Sequence, residues 1–86
     1  MRIISQDREI DIHYGEVVLL ICETSKLVEQ YGVIDVNKPY TLIAMFVNAD
    51  GTLFSLGSFD TYGDALNEMQ NIQEYYEKGM KIYRVG

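Results

Sequence analysis

Polar and apolar residues alternate near the start of the chain, and this alternation predicts a β-hairpin. Residues 2–5 form the first predicted strand, residues 6–8 the turn and residues 9–13 the returning strand. Alternate side chains of a strand point to opposite faces, so one face should be apolar and the other polar. The apolar face is predicted to carry Ile10, Ile12 and Tyr14. The polar face is predicted to carry Glu9, Asp11 and His13.

Two longer apolar runs predict strands in the interior of a sheet. Residues 17–22 and 40–47 are mostly apolar, which is typical of strands buried on both faces. The turn-forming residues at 48–51 predict a hairpin that returns along residues 52–59. Gly57 lies inside this returning strand, where a glycine indicates a bulge or the close packing of another element.

The clearest helix is predicted over residues 62–78. Thr61 is a good N-cap, and Asp64 favours the positive end of the helix. Apolar residues recur at helical spacing along one stripe, which comprises Tyr62, Ala65, Leu66, Met69, Ile72 and Tyr76. The opposite face should be in water, and it comprises Asn67, Glu68, Gln70, Asn71, Gln73, Glu74 and Glu77. Gly79 is typical of the residue after a helix, and residues 80–85 alternate again as a short final strand.

These elements predict an α+β fold in a single domain over residues 1–86. The expected architecture is a single antiparallel β-sheet of four to six strands, with one long helix in the C-terminal half packed on one face. The conformation of residues 26–36 stays open, because helical spacing at their start gives way to an extended pattern. One helix shields only one face of a sheet, although two strands are apolar on both faces. Either a homodimer, or another protein partner, covers the second face, or residues 26–36 do so within one chain.

Charge and composition narrow the partners and the compartment. The net charge is −6, from 13 acidic and 7 basic residues, and no stretch clusters the basic ones. Neither nucleic acid nor an anionic membrane surface is therefore expected as a partner. The longest apolar runs are six residues, far short of a membrane-spanning helix. The first seven residues begin no secretory signal and there is one cysteine, so the expected location is the cytoplasm.

The sequence contains no arrangement of residues that demands catalysis, a cofactor or a metal. No phosphate loop or serine elbow is present, and Cys22 ends an apolar run as a small hydrophobic residue would. The alternative is a small metal-binding protein or enzyme that uses Glu9, Asp11 and His13 on one strand face. Tyr75 and Tyr83 are the candidate interaction surface, because tyrosine is enriched at protein interfaces and both are predicted near an edge.

Several segments resemble a family of short uncharacterised proteins found in low-GC Gram-positive bacteria, their phages and mobile elements. The first residues, 1–7, are similar, as are Ile10-Asp11-Ile12 and the Tyr14/Glu16 pair. The second half is similar in residues 56–61 and in a helix that carries Ala65, Met69 and Ile72. The family pattern has a glycine where this chain has Arg8 and a proline where it has His13. The resemblance implies a protein of unknown function without an assigned activity. It supplies the context of a phage or mobile-element accessory protein. The missing catalytic motifs and the uncovered sheet face predict a small non-catalytic protein-interaction module.

Overall fold

The computed structural model of the chain describes residues 1–31, 38–47 and 52–86. Within these ranges the strands are β1 (Arg2–Ile4), β2 (Asp11–His13), β3 (Val17–Glu23), β4 (Tyr40–Phe46), β5 (Leu53–Phe59) and β6 (Ile82–Arg84). The α-helices there are α1 (Thr24–Tyr31) and α2 (Tyr62–Glu77), and a 3-10 turn spans Tyr14–Glu16. The predicted turn at residues 48–51 lies outside the described residues. Residues 32–36, part of the segment 26–36 for which the sequence predicted no definite conformation, also lie outside them.

The α+β class is confirmed, but the strands form two sheets instead of the one that was predicted. Among the described residues, one sheet has the order β2-β1-β6 and the other the order β3-β4-β5. The two sheets meet at the side chain of Gln6, whose Oε1 accepts the Ser58 N–H at 3.1 Å. The Gln6 N–H donates to the Leu56 carbonyl at 2.7 Å. This is a local junction, whereas a single sheet would need a continuous ladder between β1 and β5.

The prediction of an entirely antiparallel sheet is also wrong at β6, which pairs in parallel with β1. A hairpin forces antiparallel pairing, whereas parallel neighbours need a long connection. The chain reaches β6 through the sixteen residues of α2, so no hairpin constrains its direction. The hairpin between β1 and β2 has the predicted antiparallel pairing, with Ile3 opposite Ile12.

The turn of the first hairpin forms where it was predicted. Asp7 accepts the N–H of Glu9 at 3.0 Å, and Ser5 Oγ accepts the N–H of Ile10 at 3.0 Å. Arg8 has a φ of 69°, a left-handed conformation that a glycine adopts without strain. The side-chain hydrogen bonds therefore hold a backbone turn that this arginine does not itself favour.

Among the described strands, β3 lies at the edge of its sheet, which corrects the prediction of a central strand buried on both faces. The central strand is β4, and β3 pairs with it over all seven residues. One face of β3 packs on the core, while Val18 and Leu20 on the other face are 43% and 38% exposed. A continuous apolar run identifies a strand, but it does not specify whether other strands flank it on both sides.

The helix α2 packs across the β3-β4-β5 sheet and closes the core. Ala65 and Ile72 are fully buried, whereas Tyr62 and Tyr76 at the ends of the predicted stripe are half exposed. Thr61 Oγ1 accepts the Asp64 N–H at 3.0 Å, which confirms the predicted N-cap. The core cluster consists of Ile3, Ile12, Leu42, Ala44, Leu56, Phe59, Ala65, Ile72, Tyr83 and Val85.

The backbone at Gly57 is approached closely by other elements, as its position in a strand predicted. The ladder between β4 and β5 has its register shift next to this residue. An added Cβ would lie 3.1 Å from Val85 Cγ1 and 3.2 Å from Gln6 Oε1. Val85 is fully buried, and Gln6 is held by hydrogen bonds to Ser58 and Gly86, so neither side chain can move aside freely.

We expect Gly57→Ala to lower the free energy of unfolding by about 1 kcal/mol, because the added methyl group overpacks this junction. Chemical denaturation measures the loss. Removing the obstructing methyl groups should recover part of it, so Gly57→Ala combined with Val85→Ala should lose less than the sum of the single variants. If the double variant loses as much free energy of unfolding as the two single variants together, or more, Val85 is not the obstacle.

Candidate functional site

An apolar patch lies on the face of the β3-β4-β5 sheet that points away from α2. In register, Val18 lies opposite Met45, and Met45 lies opposite Leu53, so three apolar side chains form one row across the sheet. Leu20 lies next to this row on the same face of β3. We call Val18, Leu20, Met45 and Leu53 the outer patch. All four are partly or largely exposed to solvent.

The other end of the same face is closed by the chain itself. Thr41 belongs to this face of β4, and its Oγ1 lies 2.7 Å from Thr24 Oγ1 at the start of α1. Thr24 Oγ1 also donates to the Lys38 carbonyl at 2.7 Å. Leu27 in α1 and Ile43 in β4 are only 5% and 3% exposed. The second face of the sheet is therefore covered near Thr41 and open at the outer patch.

The two tyrosines predicted as an interaction surface occupy different environments. Tyr83 is only 6% exposed, and its hydroxyl donates to Glu68 Oε1 at 2.8 Å. Tyr75 is 39% exposed, and its ring packs edge-on against that of Tyr83, with 4.7 Å between the ring centroids. Tyr83 thus presents little accessible surface, whereas Tyr75 is exposed. The role of Tyr75 and Tyr83 as an interaction surface stays a prediction.

The helical pattern predicted that Glu68 lies on the solvent-exposed face of α2. In the structure it is partly buried and contacts the C-terminal segment. Glu68 Oε1 accepts two hydrogen bonds, one from the Tyr83 hydroxyl at 2.8 Å and one from the Gly86 N–H at 3.0 Å. Burial raises the pKa of Tyr83, and the hydrogen bond to Glu68 raises it further. The periodicity of α2 could not show this contact, because it depends on where β6 lies.

Glu9, Asp11 and His13 lie on the exposed side of the first hairpin, as predicted. Asp11 forms an ion pair with Arg2 of the neighbouring strand. The hydrogen bond from Arg2 lowers the pKa of the Asp11 carboxyl. Within the described part of the chain, no three metal-ligating side chains are gathered in a metal-binding arrangement. The Asp11 carboxylate thus serves a cross-strand ion pair. A metal-binding or enzymatic role of this face stays a prediction.

Comparison of the chain with known protein families, with curated proteins and with solved structures finds no match. Of the helices within the described ranges, none is both long and apolar enough to cross a membrane. The sequence predicted an uncovered sheet face from the apolar runs at residues 17–22 and 42–47, but the predicted contact residues were Tyr75 and Tyr83. The sequence does not show that β3 is the outermost of the described strands in its sheet, with Val18 and Leu20 exposed.

Proposed function

We propose that the protein is a non-catalytic interaction module of the cytoplasm that forms a homodimer through the outer patch. The observation that carries this proposal is the exposure of Val18 and Leu20, two large aliphatic side chains on neighbouring positions of one face. Contiguous apolar surface on a small protein is a common mark of a contact site. Removing it from water stabilises an association by about 25 cal/mol for each Å² that is buried.

The chemistry of the outer patch favours a second copy of the chain as the partner. All four of its residues are uncharged and apolar, so the patch is complementary to itself. A two-fold axis at the β3 margin of the patch brings Val18 and Leu20 of two copies together, and such closed pairs are the commonest symmetric assemblies. The net charge of −6 would oppose association through charged surfaces, which leaves an apolar contact as the favourable one.

The resemblance to short proteins of Gram-positive bacteria, phages and mobile elements supports a role as an accessory protein of such an element. A small accessory protein of this kind acts through contacts with proteins and needs no catalytic residues. A dimer would present two copies of every remaining surface to a further partner, including Tyr75 on α2.

We expect Leu20→Ser to weaken self-association. Loss of the apolar contact from both copies of a symmetric dimer should raise its Kd by about 10–100-fold. Sedimentation velocity over a concentration series measures this change. Met80→Ser is the matched control, because Met80 is 48% exposed but lies outside the outer patch. The Kd of the Met80→Ser dimer should equal that of the wild-type dimer.

The same measurement on Tyr75→Ser separates the outer patch from the surface predicted around the tyrosines. The outer patch and α2 lie on opposite sides of the β3-β4-β5 sheet, so this variant should dimerise as the wild type does. Weaker association of Tyr75→Ser together with an unchanged Leu20→Ser would refute the outer patch as the contact.

A further inference from the structure

We infer that the two copies pair through the free edge of β3, antiparallel about a two-fold axis at Leu20, to form one continuous six-stranded sheet. This inference rests on the proposed homodimer and specifies its geometry. Within residues 1–31, 38–47 and 52–86, the only strand that pairs with β3 is β4. Among these residues, no strand occupies the opposite edge of the seven-residue β3, and an unpaired strand edge can accept a further strand.

The backbone hydrogen bonds at the two ends of β3 show which of its residues direct their N–H and C=O groups outward, that is, away from β4. Val47 N–H donates to the Glu16 carbonyl at 3.1 Å, and Thr24 N–H donates to the Pro39 carbonyl at 2.8 Å. Residues alternate along an antiparallel ladder, so the even-numbered residues between them also bond to β4. The outward N–H and C=O groups then belong to the odd-numbered residues, which are Val17, Leu19, Ile21 and Glu23.

This alternation restricts how a second copy of β3 can add to the edge. Outward groups must face outward groups, so odd-numbered residues must lie opposite odd-numbered residues. An antiparallel two-fold pairing can then be centred on any residue from 18 to 21. Only the axis at Leu20 pairs the whole of β3, with Val17 opposite Glu23 and Leu19 opposite Ile21.

The side chains of the outer patch favour the same axis. It places Leu20 opposite Leu20 of the partner copy, in a pair without mutual backbone hydrogen bonds. Side chains approach most closely in such pairs, with Cα atoms about 4.5 Å apart. Val18 comes to lie opposite Cys22 of the partner copy, and Cys22 is itself partly exposed. The exposed aliphatic residues of β3 therefore contact apolar side chains of the second copy across the seam, and no acidic residue lies directly opposite another. The two outer patches lie side by side on one face of the joined sheet, with Met45 and Leu53 one and two strands away from the seam.

Disulfide cross-linking tests the pairing and its register. In a Cys22→Ser background, Leu20→Cys should form a covalent dimer under mild oxidation, because the predicted Cα separation lies within the range of natural disulfides. Val18→Cys with native Cys22 retained should also cross-link. Met80→Cys in the Cys22→Ser background is the control, and it should remain monomeric on a non-reducing gel. Circular dichroism before oxidation verifies that each variant is folded.

The outcomes separate this inference from the proposed function. A wild-type dimer whose Leu20→Cys variant does not cross-link would overturn the edge pairing and leave the homodimer standing. Cross-linking only when Val18→Cys and Leu20→Cys are combined without Cys22 would overturn the register, because it requires an axis at Leu19. A monomeric wild-type chain would overturn both proposals.

Discussion

Replacing Ile72 with alanine is expected to lower the free energy of unfolding by about 2–5 kcal/mol, the range observed when large aliphatic side chains are removed from cores. Ile72 is fully buried at the centre of the face that α2 presents to the core. It belongs to the same cluster as Leu42, Ala44 and Leu56 of the β3-β4-β5 sheet, so truncation leaves a cavity where the helix meets the sheet. Denaturant titration followed by circular dichroism measures the loss.

The neighbouring Gln73 provides the matched control for this prediction. It is exposed on the same helix, so Gln73→Ala should change the free energy of unfolding by less than about 0.5 kcal/mol. Equal losses in the two variants would contradict the orientation of α2. Leu66 was predicted to lie with Ile72 in the apolar stripe of α2, but it is only partly buried. Leu66→Ala should therefore lower the free energy of unfolding by less than Ile72→Ala does.

Glu68→Ala is expected to lower the free energy of unfolding by about 1–3 kcal/mol, because a buried hydroxyl is left without its acceptor. The hydroxyl belongs to Tyr83, which is nearly inaccessible to water, and the variant also removes the acceptor of the Gly86 N–H. Glu74→Ala is the control, because Glu74 is an exposed carboxylate six residues further along α2. A double variant that adds Tyr83→Phe should recover part of the loss, since neither partner then remains unpaired.

The same contact should make stability depend on pH above the ordinary pKa of tyrosine, about 10. The pKa of Tyr83 is raised in the folded chain, chiefly by burial. Below pH 10 the tyrosine is protonated in both states, and its full contribution to stability is present. As the pH rises further, the unfolded chain loses this proton before the folded chain does, so the free energy of unfolding falls. Tyr83→Phe should remove that part of the decline. An unchanged alkaline profile would contradict the assignment to Tyr83.

Local patterns predicted most of the secondary structure because each element has its own signal in neighbouring residues. The apolar stripe of α2, its Thr61 cap and the positive φ of Gly79 are determined within the helix and its ends. The hairpin from β4 to β5 follows in the same way from two apolar strands on either side of residues 48–51. Gly57 was informative because a strand rarely includes a glycine unless another element approaches it.

Long-range relations between elements could not be predicted from these patterns. The edge position of β3 depends on which strands flank it, and residues 17–22 contain no information about their neighbours. The parallel pairing of β6 with β1 depends on the path of α2, and the burial of Tyr83 and Glu68 depends in turn on β6. The candidate site was therefore anticipated as an uncovered sheet face, whereas its residues became identifiable only once the strand order was known.

The molar mass of the wild-type chain in solution tests the central claim most directly. Light scattering coupled to size-exclusion chromatography over a series of micromolar concentrations should give twice the 9.9 kDa of one chain at the upper end. The mass should fall toward the monomer value as the protein is diluted. A mass of 9.9 kDa at every concentration would contradict the homodimer and remove the outer patch as its contact surface.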